Sequence, residues 1–480
     1  MRVLRAEAVR RNDLGLDPSK PTILLASDSP CKHTGLGRST RMIWSPIYET
    51  GKFNIVQLAW WHVNVKEEVP WTLLATKRNA QGIIDPADKY GNVSLNRVLS
   101  EVQPSIVWTS GDPWMVLPMT QRRNLVSGPI IFYSQCDGGP LDITQRNGNT
   151  LGWEEAVRGA DVVVPCAPWG HDLLKDSFPN CSLRPYIPFG VDTSVFKPVD
   201  VAERQKIKAS VFKLDPRARV FMSVSRNQQR KYLAANMQAL YFLRRGRFNI
   251  CAECGAYNVW RRDYSRRKDL GPEPFCKFCG HKKLRPGRPQ TDLFYYMHAP
   301  LDDAMDDSYR LIPLLRQFGL IDSSTNMNAV FWNNELRSTS GEMDDKLSTY
   351  YAGTDAFALP TTGEGFCLPM LESMACGTPV VAPAHSSHPF FVSGVGRLVP
   401  ISYYWCEPPT NYWRGLVSVD AWAQNIDEAT KSTEETRQAC RQRALSFDWK
   451  HIWPKWLKLI EESLRDGKSA NIWQEPIKGV

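Results

Sequence analysis

No run of about 18 consecutive apolar residues occurs in this 480-residue chain, so no segment reads as a membrane-spanning helix. The N-terminal stretch, Met1-Arg-Val-Leu-Arg-Ala-Glu-Ala-Val-Arg-Arg11, lacks the apolar core of a secretory signal. Internal repeats and low-complexity tracts are also missing, which argues against a solenoid or a compositionally biased tail. Net charge is scarce outside one segment. Between Tyr241 and Gln290, thirteen Lys or Arg outnumber four Asp or Glu by nine, and the whole chain carries +9, so the remainder is neutral.

With 42% hydrophobic and 23% charged residues, the composition is that of a soluble globular protein, and the length suffices for two domains of ordinary size. Of the twelve cysteines, Cys251, Cys254, Cys276 and Cys279 have metal-site spacing and the other eight are scattered. Reduced thiols in a cytoplasmic compartment are therefore expected.

Thr22-Ile-Leu-Leu-Ala-Ser reads as a buried first strand, followed by His33-Thr-Gly-Leu-Gly-Arg-Ser and a helix-compatible Thr40 to Tyr48. Strand, glycine turn and helix make the phosphate-approach unit of a Rossmann-like domain, although a tight turn explains Gly35 and Gly37 equally well. Further short apolar runs lie at 53–59, 105–109, 129–133 and 161–165, and again at 220–225, 293–298, 329–332, 356–359 and 379–382. Alternating with helix-like stretches, they predict parallel sheets covered on both faces.

The most informative tract is Pro360-Thr-Thr-Gly-Glu-Gly-Phe-Cys-Leu-Pro-Met-Leu-Glu-Ser-Met-Ala-Cys-Gly-Thr-Pro379. Glu364 falls in a Gly-rich loop, Pro369 suits the first turn of a short helix, and Gly377 can end it. Free amides at such a helix start suit a phosphate or diphosphate. One carboxylate beside that anion site and Glu372, eight positions on, would grip two sets of hydroxyls, as a nucleotide sugar requires.

This tract resembles the E-x7-E signature of retaining glycosyltransferases of family four. The likeness runs from Asp344 through Val381 and resumes at Gly394-Val-Gly-Arg-Leu-Val-Pro400. It implies an α/β GT-B fold, two Rossmann-like domains whose parallel sheets face across a cleft. The boundaries it suggests are 1–198 for an acceptor domain and 199–440 for a nucleotide-sugar domain. Within the latter, 246–290 is a small inserted zinc ribbon, and 441–480 is a C-terminal helix crossing back to the first domain. The Trp and Lys residues of that helix suit packing or, alternatively, a peripheral membrane contact.

The resemblance also implies roles. Glu364 would bind sugar hydroxyls and Glu372 the ribose. Gly35 and Gly37, with the amides of Gly365, Phe366, Cys367 and Leu368, would face the sugar and diphosphate. Arg226 and Lys231 match the family's Arg-x4-Lys pair, fixed cations that stabilise charge on the departing nucleoside diphosphate. Transfer would retain anomeric configuration without a catalytic metal. Many relatives carry a histidine after the strand equivalent to Ile130-Ile-Phe-Tyr-Ser, where this chain has Gln135-Cys-Asp-Gly-Gly-Pro140. Asp137 is the nearest replacement, or a polar turn residue. The acidic cluster Asp302, Asp303, Asp306 and Asp307 reads as a solvated helix start.

The family pattern has no counterpart to the pair of C-x2-C knuckles, Cys251–Cys254 and Cys276–Cys279, which twenty-one residues separate. That spacing predicts a four-thiolate structural zinc site, able to contribute about 10–16 kcal/mol to folding a loop too small for its own core. Arg261, Arg262, Arg266, Arg267, Lys268, Lys282 and Lys283 lie around it, interleaved with Trp260, Tyr264, Phe275 and Phe278. Phosphate contacts plus base stacking suit this mixture; a solvated loop and an anionic lipid surface are the alternatives.

Three functions follow. The first is transfer of a hexose, glucose from UDP-glucose, to a hydroxymethylated pyrimidine in DNA, with the base leaving the stack. Ala26-Ser-Asp-Ser-Pro-Cys-Lys-His-Thr-Gly-Leu-Gly-Arg also looks like bacteriophage glycosyltransferases, which would put the protein in a host cytoplasm. The second replaces the acceptor by a surface glycan or lipid-linked sugar. The third is a non-catalytic nucleic-acid-binding protein on a transferase scaffold.

Overall fold

The apolar runs become parallel strands in two separate sheets. The structure, a computed structural model, describes residues 2–32, 34–62, 68–79, 82–141, 152–301, 308–321, 328–333, 343–408 and 410–467. The acidic cluster at 302–307 lies outside the described residues. The chain divides into two compact units. One comprises Met1–Gly190, Glu407–Tyr412 and Phe447–Val480, the other Val191–Cys406 and Trp413–Ser446.

The first unit holds β1 (Arg2–Arg5), β2 (Thr22–Asp28), β3 (Asn54–Trp60), β4 (Thr72–Ala75), β5 (Ile106–Gly111), β6 (Ile130–Ser134) and β7 (Val162–Pro165). All neighbours pair in parallel, in the order β1-β4-β3-β2-β5-β6-β7. Every residue of β2, β5, β6 and β7 is buried, which is why these strands are continuous apolar runs rather than alternating ones. Strand order reverses between β2 and β5, so the crevice for a ligand in this unit opens at their carboxyl ends. The edge strand β1 and its neighbour β4 are four residues each and carry no such run, so periodicity does not announce them.

The helix Trp449–Asp466 packs on the helix Gly35–Glu49 within the same unit. Its Trp449, Ile452, Trp456, Leu459 and Ile460 are buried. Trp456 packs edge-on against Trp108 and Tyr133, with ring centres 5.8 and 4.7 Å away. Trp449 and Trp456, two of the three tryptophans that suggested a membrane surface, are therefore spent on the core, while Trp453 is half-buried. The apolar stripe at i, i+3, i+7, i+10 and i+11 is a packing face.

The second unit builds its main sheet from β8 (Arg219–Val224), and its small inserted sheets are β9 (Phe248–Cys251), β10 (Tyr257–Val259), β11 (Arg261–Asp263), β12 (Lys268–Gly271) and β13 (Leu284–Pro286). The main sheet continues with β14 (Leu293–His298), β15 (Val330–Phe331), β16 (Ala356–Ala358), β17 (Val380–Pro383) and β18 (Arg397–Val399), in the parallel order β15-β14-β8-β16-β17-β18. A two-stranded sheet of β19 (Ile401–Glu407) and β20 (Tyr412–Val417) follows.

The insertion interrupts the crossover between the helix Ala234–Arg244 and β14, and it is tied to the unit's body. The Tyr257 hydroxyl donates to Asp427 at 2.7 Å. The Val259 N–H and the Lys277 ammonium donate to Asp420 at 2.7 and 2.8 Å. Tyr241, on the helix before the insertion, donates to Asp269 at 2.7 Å.

Candidate active site

The loop between β16 and the helix Leu368–Ala375 brings Glu364 to the carboxyl end of the second sheet, and the side chain is buried there. Cys367 closes the loop in the left-handed region at φ +78°, Pro369 stands in the first helical turn, and Gly377 at φ +70° ends the helix. Two hydroxyls fix the loop backbone. Ser386 Oγ accepts from the Glu364 N–H at 3.1 Å, and Ser387 Oγ donates toward the carbonyls of Glu364 and Phe366 at 3.0 Å each.

The neighbouring strand β8 leads to a single turn, Gln229–Lys231, that presents two cations to this carboxylate. Lys231 Nζ bonds to Glu364 Oε1, and Arg230 stands 3.3 Å from Oε2. Arg230 also donates to the Gly363 carbonyl at 2.9 Å, while its own carbonyl accepts from the Thr362 N–H and hydroxyl at 2.8 and 3.1 Å. Burial alone pushes the Glu364 carboxyl up, but Lys231 and Arg230 outweigh it and hold the group well below the usual carboxylate range. Burial and Arg230 pull Lys231 down, against Glu364. The corner thus holds an ionised carboxylate between two cations and has a surplus positive charge for a phosphate group.

Beside Lys231 stands Arg230, a cation that no motif singled out. The structure brings Arg230, not Arg226, to Glu364; Arg226 is exposed after β8. The Arg-x4-Lys spacing draws attention past the adjacent Arg230, whose place depends on the tight turn. Glu372 is buried in the helix and accepts from the Tyr351 hydroxyl at 3.0 Å, a partner on the helix Asp344–Gly353.

In the first unit, Gly35 and Gly37 lie in the first turn of the helix after β2, whose cap is Thr34, the hydroxyl accepting from the Gly37 N–H at 3.1 Å. A Cβ on Gly37 would sit 2.6 Å from the Ser29 carbonyl and 2.7 Å from that of Lys32. The glycine is needed for close approach of the chain's own loop. Asp28, which the motifs did not single out, ends β2. Burial raises its carboxyl pKa against Lys32 and Thr34, whose hydroxyl donates to it at 3.1 Å. Asp137 is half-buried in the loop after β6.

The four cysteines of the insertion converge, their ligand atoms all within 4.8 Å of one another, a cluster that could hold a metal ion. Of the basic residues, Arg261, Arg266, Arg267, Lys268, Lys282 and Lys283 are exposed, as are Tyr264, Phe275 and Phe278. Arg262 is different: its side chain is 5% exposed and donates to Asp269 and to the Tyr241 hydroxyl, both at 2.6 Å. A desolvated guanidinium must be paired, so Arg262 braces the insertion and is removed from the set offered to phosphates. Trp260 is half-buried, beneath Arg247 at 5.9 Å.

Residues 330–402, which include Glu364 and Glu372, match the family described as Glycosyl transferases group 1. D-inositol 3-phosphate glycosyltransferase of Mycolicibacterium gilvum is 31% identical over 132 residues, 27% of this chain and 27% of that protein. The chain thus matches about a quarter of that relative's length. Among solved structures, sucrose-phosphate synthase from Thermosynechococcus elongatus aligns with a TM-score of 0.64 at 15% identity, over 92% of this chain and 98% of its own. The Anabaena protein HepE in complex with UDP-glucose aligns at 0.62 and 14% identity, over 92% and 99%. The fold is that of GT-B glycosyltransferases, two Rossmann-like α/β units, and the chain's group 1 glycosyltransferase match lies over the candidate donor site.

Proposed function

We propose that this protein is a retaining glycosyltransferase that moves glucose from UDP-glucose onto a hydroxymethylated pyrimidine in DNA. The observation that carries the donor half is the corner where half-buried Arg230 and buried Lys231 meet buried Glu364, the carboxylate itself lying inside the tract that matches group 1 glycosyltransferases. When the diphosphate enters, Lys231 and Arg230 turn to its oxygens, and removing one such cation would cost roughly 3 kcal/mol at the transition state, as for an oxyanion donor. Glu364 then accepts from sugar hydroxyls, and Glu372, oriented by Tyr351, from the ribose. The anomeric carbon–phosphate oxygen bond breaks as the bond to the acceptor oxygen forms on the same face. The acceptor's proton passes to the leaving phosphate.

For the acceptor, the exposed cations and the three exposed aromatics of the insertion support nucleic acid: phosphates meet Lys and Arg while unstacked bases meet rings. Zinc in the four-cysteine site belongs to the same proposal. At a Zn–S bond of about 2.3 Å, the edge of a tetrahedron is about 3.8 Å. The Cys251–Cys279 and Cys254–Cys276 sulfurs lie 3.6 and 3.7 Å apart. Zinc would hold the insertion in shape and take no part in transfer.

The second reading keeps the donor site and replaces the acceptor by a surface glycan or lipid-linked sugar; the relative named for D-inositol 3-phosphate shows the same kind of match with an acceptor other than DNA. The test is incubation with radiolabelled UDP-glucose and matched DNAs containing cytosine or 5-hydroxymethylcytosine, with a lipid-linked acceptor in parallel. Label on hydroxymethylated DNA alone is expected. Label on the lipid alone overturns the acceptor assignment, and no donor turnover in any arm overturns the enzyme.

A further inference from the structure

The loop leaving β17 carries a histidine that no motif singles out. Because β17 lies beside β16, this loop and the Glu364 loop emerge side by side at the carboxyl edge of the sheet, where doubly wound folds take ligands. The Ser386 and Ser387 hydroxyls lock the two loops together, and Phe366 packs on Phe391 with ring centres 5.4 Å apart. His388 is the next residue and is fully buried. Its Nδ1 lies 3.1 Å from the Pro383 carbonyl oxygen. A carbonyl only accepts, so Nδ1 carries the proton and Nε2 is a bare acceptor. Nε2 is buried and meets no donor among the described residues. Burial keeps the ring neutral, its pKa drawn down to about 4, while the Glu364 carboxylate pulls the other way and Lys231 adds to the lowering. Ser387, the preceding residue, bonds the Glu364 and Phe366 carbonyls, so the imidazole stands against the loop that carries Glu364.

A dry, donorless lone pair is a standing cost to the folded chain, and an arriving hydroxyl removes it. We infer that His388 Nε2 accepts a hydrogen bond from a hydroxyl of the transferred hexose and helps decide which sugar is taken. This rests on the donor site proposed for Glu364 and Lys231. Glu364 and His388 are then both acceptors, so the pocket prescribes a ligand offering at least two hydroxyl donors.

Hydrolysis of UDP-glucose and of its 2-, 3-, 4- and 6-deoxyglucose analogues separates the possibilities. His388→Asn keeps a donor for Pro383 and deletes the Nε2 acceptor; His388→Gln supplies an acceptor near the Nε2 position. In the wild type, one deoxy donor should lose at least about tenfold in kcat/KM, because a site built to bond a hydroxyl rejects its absence. In His388→Asn that donor and UDP-glucose should turn over alike, and His388→Gln should restore part of the preference. If His388→Asn slows all five donors by one common factor, the residue is structural and the inference falls. If the wild type turns over none of them, the proposed donor site fails first.

Discussion

Replacing Glu364 with Gln should weaken the free protein, strengthen its grip on UDP and abolish transfer, and these opposite signs come from one corner. Glu364 is the carboxylate between Lys231 and Arg230, so the substitution raises the local charge from +1 to +2 while keeping the side chain's shape. Removing one partner of a buried pair costs about 3–5 kcal/mol. For a unit of this size each kcal/mol moves the melting temperature by about 2–4 °C, so a fall of roughly 6–20 °C is expected. The loss should depend on pH. The folded carboxyl titrates below its ordinary value of 4.5, so its contribution is complete above that value and disappears as pH falls through the folded value. Wild type and Glu364→Gln should therefore begin to converge below about pH 4 and meet only beneath the folded value, far into the acid range. UDP reverses the comparison. A unit charge about 5 Å from the diphosphate contributes on the order of 3 kcal/mol per charge at an effective dielectric near 20, and water and salt reduce this. UDP should bind Glu364→Gln about tenfold more tightly at low salt, within that bound. Calorimetric titration with UDP and thermal melts with and without it measure both signs. Weaker UDP binding by Glu364→Gln would refute the placement of the diphosphate beside Lys231 and Arg230.

Metal analysis should find one zinc per chain, and Cys276→Ser or chelation should release it and expose the insertion to protease, since closed four-thiolate sites contribute about 10–16 kcal/mol to folding; a metal-free chain with an intact insertion contradicts this. Replacing Arg266, Arg267, Lys268, Lys282 and Lys283 by Ala should flatten the salt dependence of DNA binding by up to about 0.9 for each phosphate no longer neutralised. Arg262→Ala, by contrast, should lower stability with little change in that slope, because its guanidinium is already committed to Asp269 and Tyr241; equal slopes for wild type and the five-residue variant would remove DNA from the insertion. Trp456→Ala should cost about 3–5 kcal/mol, read by denaturant melts, because the indole is fully buried between Trp108 and Tyr133.

What could be read ahead of the structure was whatever a short stretch of chain decides alone. The buried strands β2, β5, β6 and β7 are written as unbroken apolar runs because helices cover both faces of a parallel sheet. The Glu364 loop, Pro369 in the first helical turn and Gly377 at its end form one local unit, and the C-x2-C knuckles another. What stayed hidden are pairings that only sheet order creates. Arg230 reaches Glu364, far along the chain, because β8 neighbours β16, and Ser386, Ser387 and His388 border the same loop because β17 does too. Spacing within one segment carries no trace of either. Arg261 and Arg262 fall between these cases. The two neighbouring arginines of β11 have different surroundings, Arg262 being 5% exposed and Arg261 53%. Sequence alone offers both to phosphates alike. It could not say which one would meet Asp269, since that depends on how β12 folds back across the bulge between Arg261 and Arg262.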